Sequence, residues 1–184
     1  LNFDALAASA GNIDISSASD ISYFNATATG DIVMLAGGSL QGTGTTSGNN
    51  IDLSAAGDVF VRNIAALGDL SVMTSGGALR IDDSMSGGSS SISAFGNIAS
   101  GSNAARFTTG GDLNIASSNG SMFFTADAGG NLTATAGDTV TADVMVGGDA
   151  FFSGRSLAVS GVVGRDVTAR SVDDLELKIG RAHV

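Results

Sequence analysis

The feature that most constrains this chain is the return of equivalent residues at an interval of about nineteen. An Asn or Asp recurs at this spacing, and an aliphatic residue follows it each time. The polar positions are Asn12, Asp31, Asn50 and Asp69, and the aliphatic positions are Ile13, Ile32, Ile51 and Leu70. The phrase returns downstream at Gly111, Gly130, Gly148 and Arg165, where the interval shortens from nineteen to eighteen and then seventeen. A fixed interval of this length is typical of stacked repeats.

Each repeat contains the pattern of two short strands. Apolar and polar residues alternate after the Gly-Asx dipeptide, as in Gly68–Val72, and this period of two indicates a strand with one buried face. A second apolar start follows at half the interval: Ile21 follows Ile13, and Val59 follows Ile51. Helical spacing is nowhere sustained, because Gly interrupts every window long enough for three helical turns. We expect Gly, with Asn or Asp, to form the corners and often to adopt a positive φ there.

One such unit cannot bury its apolar face alone, whereas units stacked about 4.8 Å apart bury their faces together. The sequence therefore predicts an all-β fold, a single-stranded parallel β-helix (solenoid) with coils of about 19 residues. The rule for parallel crossovers makes it right-handed. Residues 1–177 would form roughly nine coils, a rod on the order of 43 Å long. An antiparallel sandwich or up-and-down fold would not require one residue class at a nineteen-residue offset.

The repeat is interrupted once. Leu70 and Leu113 are 43 residues apart, which is five more than two units of nineteen. We expect the surplus to form a loop, either in Ser84–Ser91, which is almost all Ser and Gly, or in Gly101–Arg106.

The column of Asn and Asp residues has two interpretations. As structure, the side chains would cap corner amides and stack into a polar ladder. As function, the carboxylates would bind calcium along the rod. We favour the structural interpretation, because the Gly- and Asp-rich nonapeptide of calcium-binding β-rolls is missing. We accordingly expect no metal site and no cofactor.

Charge and residue usage narrow the classes of function. Eighteen acidic and eight basic residues give a net charge of −10, which repels phosphates, so we expect no nucleic-acid partner. No apolar run approaches the roughly 20 residues of a membrane-spanning helix. The chain has no Cys, which excludes thiolate chemistry.

The one His, His183, lies in residues 178–184, which we expect to be a non-native tail, because Ile179–Val184 resembles one reading frame of a sequencing adapter.

Paired carboxylates beside an Arg are the strongest catalytic candidates. They occur at Asp82–Asp83 near Arg80 and at Asp173–Asp174 near Arg170. β-Helix glycosidases and polysaccharide lyases use clustered carboxylates, with a basic residue or Ca²⁺ in some lyases. We interpret both pairs as solvated corner acids, with one outward carboxylate each where the strand is regular. A nucleophile-His-acid triad would lack its base, and we expect no catalytic residue and no enzymatic activity.

Two further patterns could contact a ligand. Arg155, Arg165 and Arg170 could form a basic stripe for acidic glycans, although we expect them to balance neighbouring Asp charges. Phe123–Phe124 and Phe151–Phe152 should each place one ring inward and one outward. An outward ring could stack on a sugar, but we expect it to pack beneath a corner.

The Gly-Asp-Leu-x-Val phrase of Gly68–Val72, at this spacing, resembles the repeats of filamentous haemagglutinin and related large bacterial adhesins. The resemblance covers residues 1–177. It implies a structural and binding shaft segment of a secreted or cell-surface protein that mediates cell adhesion. It also implies partners: receptors or glycans on host or neighbouring cells, and an outer-membrane transporter for the parent protein. The family's secretion domain carries Asn-Pro motifs, and this chain has no Pro, so the resemblance is to the shaft.

Two alternatives stay open on the sequence. A carbohydrate-active β-helix enzyme (polysaccharide lyase, glycosidase or phage-type depolymerase) would be favoured by three or more carboxylates within about 10 Å in one groove. An ice-binding solenoid would need a flat Thr-x-Thr ladder, and Thr43, Thr45 and Thr46 form one isolated cluster.

Overall fold

The computed structural model describes residues 1–99 and 104–181, which form twenty strands and no helix. The strands pair in parallel and build two sheets. The chain alternates between the sheets, so one coil contains one strand of each. This is a parallel β-solenoid of about nine turns with equivalent residues about 19 apart, as the repeat interval predicts.

The first sheet consists of nine short strands, each with five residues. They are β2 (Ile13–Ser17), β4 (Ile32–Ala36), β6 (Ile51–Ala55), β8 (Leu70–Thr74), β10 (Ser90–Ala94), β13 (Leu113–Ser117), β15 (Leu132–Ala136), β17 (Ala150–Gly154) and β19 (Val167–Ser171). Their register is unbroken from β2 to β19. The second and fourth residues of each strand point outward, and the other three face the core.

The second sheet consists of longer strands and one strand that is interrupted. Its members are β1 (Asn2–Ala8), β3 (Ile21–Ala28), β5 (Leu40–Gly48), β7 (Val59–Ala66), β9 (Leu79–Ser86), β11 (Ile98–Ala99), β12 (Ala105–Thr109), β14 (Met122–Ala128), β16 (Thr139–Val146), β18 (Ser156–Val163) and β20 (Leu175–Arg181). In β7 the neighbours Arg62 and Asn63 both point outward, so the strand turns a convex corner there. In β14 only Thr125 separates the inward Phe124 and Ala126. The same loss occurs in β16, where only Asp143 separates the inward Ala142 and Val144, and the interval across that coil, from Leu132 to Ala150, is eighteen. The coil of β14 keeps an interval of nineteen.

The core is a set of aliphatic rows that run along the solenoid. Ile13 pairs with Ile32, Ile32 with Ile51, and Ile51 with Leu70, and all four are buried. Rows from both sheets join into one continuous core. Burial of one such side chain contributes about 2 kcal/mol, so the stacking that aligns the repeats also stabilises them.

The five surplus residues lie between β11 and β12. Ile98 pairs with Met122 at a separation of 24 residues, whereas Ala105 pairs with Phe124 at the regular 19. The insertion thus coincides with the candidate region Gly101–Arg106, of which residues 101–103 lie outside the described residues.

The other candidate loop, Ser84–Ser91, was wrong. Ser84 and Ser86 belong to β9, and Ser90 begins β10. All three are buried, and Ser86 Oγ lies 2.8 Å from Ser90 Oγ and 3.0 Å from Thr109 Oγ1. Because the hydroxyls of Ser86, Ser90 and Thr109 are hydrogen-bonded to one another, these small polar residues occupy core positions without leaving a buried polar group unpaired.

Most glycines at the corners do not adopt the positive φ that the sequence suggested. Among the described residues only Gly11 (φ 136°) and Gly161 (φ 138°) have a positive φ. The expectation that corner glycines generally adopt a positive φ was therefore wrong.

The single Tyr of the chain is a core residue. Tyr23 is 1% exposed, and its hydroxyl lies 2.7 Å from Thr46 Oγ1. Gly42 provides the space, because a Cβ there would lie 2.5 Å from the ring. Burial raises the pKa of Tyr23 to about 12, and the hydrogen bond to Thr46 acts in the opposite direction.

The last strand crosses the expected tail boundary at residues 177 and 178. β20 runs to Arg181, and its residue Lys178 pairs with Ser160 of β18. His183 lies outside the described residues. Within residues 1–99 and 104–181, no helix has the length and apolarity needed to cross a membrane.

Candidate functional site: the polar ladder and the outer faces

A ladder of side-chain oxygens runs along the corner that precedes the nine-stranded sheet. At each rung an Asn, Asp or Ser oxygen accepts a hydrogen bond, 2.7–3.3 Å long, from the backbone N–H of the equivalent residue one coil later. The eight acceptors are Asn12, Asp31, Asn50, Asp69, Ser89, Asp112, Asn131 and Asp149. The column Asn12, Asp31, Asn50 and Asp69 thus forms the first four rungs.

Close stacking explains the Gly before each rung. A Cβ at that position would lie within 2.7 Å of the ladder oxygen one coil earlier, and this holds at Gly30, Gly68, Gly88, Gly111, Gly130 and Gly148. Asn49 occupies the equivalent place in one coil, and its amide donates to Asp31 Oδ1 at 3.1 Å. The Gly-Asx dipeptide is therefore one device, in which Gly leaves the space that the preceding side chain fills.

Asp31 is the rung with the most hydrogen-bond donors. The backbone N–H and the side-chain amide of Asn50 both donate to its Oδ1 at 3.0 Å. These donors, with the Asn49 amide, lower the pKa of Asp31, the backbone N–H of Asn50 having the largest effect. A carboxylate held in its ionised form does not act as a general acid near neutral pH.

A second, broken ladder lies at the corner that follows the nine-stranded sheet. Asp20 accepts from the N–H of Ser39, Asp58 from that of Ala78, and Asn97 from that of Ser121. Ala78 has no side-chain acceptor, which interrupts the row. Sequence analysis missed these residues, because Ser and Ala replace Asp and Asn at alternate coils and hide the column.

Several shallow hollows on the outer surface contain two or three carboxylates. One, of about 400 Å³, lies beside the ladder and includes Asp31, Asp52 and Asp69. Asp31 and Asp69 belong to the ladder and are bound to backbone N–H groups of the next coil. The hollow thus holds three carboxylates, the number that would favour an enzyme, but two of them belong to the ladder and Asp52 points outward from β6.

The second hollow, of about 530 Å³, lies on the outer face of β12, β14, β16 and β18. Its lining includes Arg106, Asp127, Asp143 and the exposed side chains of Met145 and Val162. It therefore holds two carboxylates, one fewer than the number set above for an enzyme.

The carboxylate pairs singled out in the sequence are engaged with Arg side chains. Asp82 lies 3.7 Å from both Arg62 and Arg80. Asp82 and Asp83 follow the inward Ile81 at the corner of β9, so both point outward. Arg80 in addition lies over the Phe60 ring at 4.6 Å. These contacts make the group a surface ion-pair network.

In the downstream pair, Asp173–Asp174, the Arg that contacts Asp173 is farther from it in the sequence than Arg170 is. Asp173 contacts Arg155 at 2.7 Å, and Arg170 lies over the ring of Phe151 at 5.5 Å. Asp173 raises the pKa of Arg155 through this hydrogen bond. Arg155 thus balances a neighbouring Asp, as expected, and Arg170 covers an aromatic ring.

The Phe pairs alternate as predicted. Phe124 and Phe152 are fully buried, while Phe123 is 44% exposed and Phe151 is half-buried. Phe123 lines a third hollow, of about 430 Å³, with Asp143 and Lys178.

Across the described ranges, no group of three or more His, Cys, Asp or Glu side chains is placed to hold a metal ion. Comparison with protein-family models, with curated proteins and with solved structures found no match. The strand pairing described above therefore carries the assignment of fold by itself.

Proposed function

We propose that this chain is a structural and binding shaft segment of a large bacterial adhesin of the filamentous haemagglutinin type, located at the cell surface or outside the cell. The observation that carries the proposal is the uninterrupted ladder, which links every described coil from Asn12 to Asp166. Its side-chain oxygens bind backbone amides of the next coil, which supports a structural role for the residue type that recurs most strictly.

The resemblance of Gly68–Val72 and its equivalents to the repeats of these adhesins supports the proposal. Shaft proteins act by holding binding surfaces away from the cell, which needs a stiff spacer and no cofactor. The partners in this proposal are receptors or glycans on host or neighbouring cells, and an outer-membrane transporter that exports the parent protein.

Adhesion is the direct test. Beads coated with the purified chain should be retained under flow on epithelial or bacterial cell layers several-fold more than albumin-coated beads. The matched control is the Ile51→Asp variant, which puts a charge into the core row and should unfold the coils. Retention equal to that of albumin on every cell type would contradict the proposal.

Two hollows favour the alternative, a carbohydrate-active enzyme: the one with the three carboxylates Asp31, Asp52 and Asp69, and the one with Arg106, Asp127 and Asp143. Incubation with bacterial and host polysaccharides should release no new reducing ends or unsaturated products under the shaft proposal. Release that is lost in Asp52→Asn or in Asp143→Asn, with the fold intact by circular dichroism, would establish the enzyme instead.

A further inference from the structure

The outer face of the nine-stranded sheet is nearly free of charge. From β4 to β17, fourteen side chains point outward, and one of them, Asp52, is ionisable. They are Val33, Leu35, Asp52, Ser54, Ser71, Met73, Ser91, Ser93, Asn114, Ala116, Thr133, Thr135, Phe151 and Ser153. We call this surface the flat face; the hollow lined by Asp31, Asp52 and Asp69 lies along its ladder edge.

The other sheet has no comparable surface. Over the coils from β8 to β17 the flat face carries no charged side chain. Each of the three outward rows of the eleven-stranded sheet carries at least one in the same coils: Arg80 in the first, Arg106 and Asp143 in the second, and Asp127 in the third. In a chain with a net charge of −10, the flat face is where another acidic molecule meets the least repulsion.

We propose that two copies of this chain associate side by side through their flat faces, in parallel, about a twofold axis along the solenoid. A twofold interface must be complementary to itself. In this arrangement the row that contains Val33 faces the row that contains Leu35 in the second copy. The exposed Val33 and Leu35, 40% and 52% accessible, then cover each other, and Asp52 faces Ser54.

The two edges of the flat face also match. The ladder edge of one copy faces the opposite edge of the other, coil by coil. The facing residues are Asp31 with Gly37, Asn50 with Ala56, Asp69 with Ser75, Ser89 with Phe95, Asp112 with Ser118 and Asn131 with Gly137. No carboxylate faces a carboxylate in this set. An antiparallel pair centred on β10 would place Asp69 against Asp112, which is why the parallel arrangement is the one proposed.

The size of the flat face predicts a weak complex. Seven strands at about 4.8 Å, each about 16 Å long, cover roughly 500 Å² per copy. The total of roughly 1,000 Å² lies at the lower limit for biological interfaces. Most of the side chains are small, so the sheets can approach to the usual spacing of about 10 Å. The remaining acidic groups at the edges oppose association until salt screens them.

Sedimentation equilibrium over a range of concentrations tests the proposal. The unmodified chain should move from monomer towards dimer between about 10 µM and 1 mM, with stronger association at 0.5 M than at 0.05 M NaCl. The Thr135→Glu variant, with a charge on the flat face, should weaken association at least tenfold. The matched control is Thr141→Glu on the neighbouring strand β16, which adds the same charge to the outer row of the other sheet and should associate as the unmodified chain does.

The absence of native Cys allows a second measurement. Thr135→Cys should form a disulfide-linked dimer on mild oxidation much faster than Thr141→Cys. A chain that is monomeric at 1 mM in high salt, or equal effects at positions 135 and 141, would overturn the proposal. A monomeric chain that binds glycans on this face would do so as well.

Discussion

A Gly followed by Asn or Asp recurs at one corner because two requirements meet there. The amide of the second residue needs an acceptor, which the Asx side chain one coil earlier provides, as Asn50 does for Asp69. The first residue is Gly in most coils, since a Cβ there would approach the same oxygen too closely, as at Gly68; Asn49 and Arg165 are the exceptions. Neither requirement involves the backbone angle of Gly, which explains why reasoning from φ alone failed here.

Tyr23 should report its own burial in a pH titration. Its pKa is raised from 10.0 to about 12, so the folded state favours the protonated phenol. That stabilisation is complete below about pH 10 and is lost as the pH rises through about 12, with a loss of about 3 kcal/mol. Since the chain has one Tyr and no Trp, absorbance at 295 nm isolates this group.

The expected midpoint is near pH 12 in buffer and near pH 10 in concentrated guanidinium chloride. The Tyr23→Phe variant should lose less stability than the unmodified chain between pH 10 and 12. A midpoint near pH 10 in the folded chain would contradict the burial of this hydroxyl.

The Asn50→Asp variant tests whether the mixture of Asn and Asp in the ladder contributes to thermal stability. Asn50→Asp removes the amide that donates to Asp31 and places a third carboxylate between Asp31 and Asp69. We expect Tm at pH 7 and low salt to fall by about 2–4 °C. The difference should shrink below about pH 4, because the lowered pKa of Asp31 makes its contribution present above that range and lost as the pH falls.

Asn114→Asp is the control for this variant. Its neighbours in the register, Ser91 and Thr133, are uncharged, so its Tm at pH 7 should change little. Equal losses of Tm in the two variants would show that the ladder has no special sensitivity to charge.

At the scale of elements, the predictability of each strand followed from how strictly its pattern repeats. The five-residue strands of the first sheet keep one register, and the interval alone places all of them except β10, which begins with Ser90 in place of an aliphatic residue and was assigned to a candidate loop. The longer strands of the second sheet bend where two outward residues adjoin, as at Arg62 and Asn63, and a period of two gives no sign of that bend. The Tyr23 pocket needs Gly42 and Thr46 of the next coil, a contact that no local pattern indicates.

The insertion between β11 and β12 should be removable. Deletion of residues 100–104 joins Ala99 to Ala105 and leaves Ile98 opposite Met122 and Ala105 opposite Phe124. Since both ends already hold their register, we expect the far-ultraviolet circular dichroism spectrum to be unchanged and Tm to shift by only a few degrees.

Deletion of five residues from a regular strand, Leu113–Ser117, is the matched control and should abolish cooperative unfolding. An unfolded product from the first deletion would show that residues 100–104 are needed to hold the coils together.

At the scale of the whole molecule, a coil is supported by the coils on its two sides. Stability in such an array is a sum of repeat and interface contributions. Core residues of the central coils are almost inaccessible to water, whereas those of the end coils are partly exposed: Val140 is 0% exposed and Val167 is half-buried. The position of a core substitution along the axis should therefore determine how much it lowers the free energy of unfolding.

We expect Val140→Ala to lower the free energy of unfolding by about 2 kcal/mol, and Val167→Ala by less than about 1 kcal/mol. The two changes remove the same atoms, so they control for each other. Guanidinium chloride denaturation followed by circular dichroism measures both. Equal losses would contradict a continuous core with weaker ends.

The ladder also has a direction. At each rung the side-chain oxygen belongs to the earlier coil and the amide that it binds belongs to the later one. A chain that arrives amino end first would thus always find acceptors in place for its next corner. A chain that arrives carboxyl end first would instead offer amides with nothing yet to receive them, so assembly of this rod distinguishes head from tail.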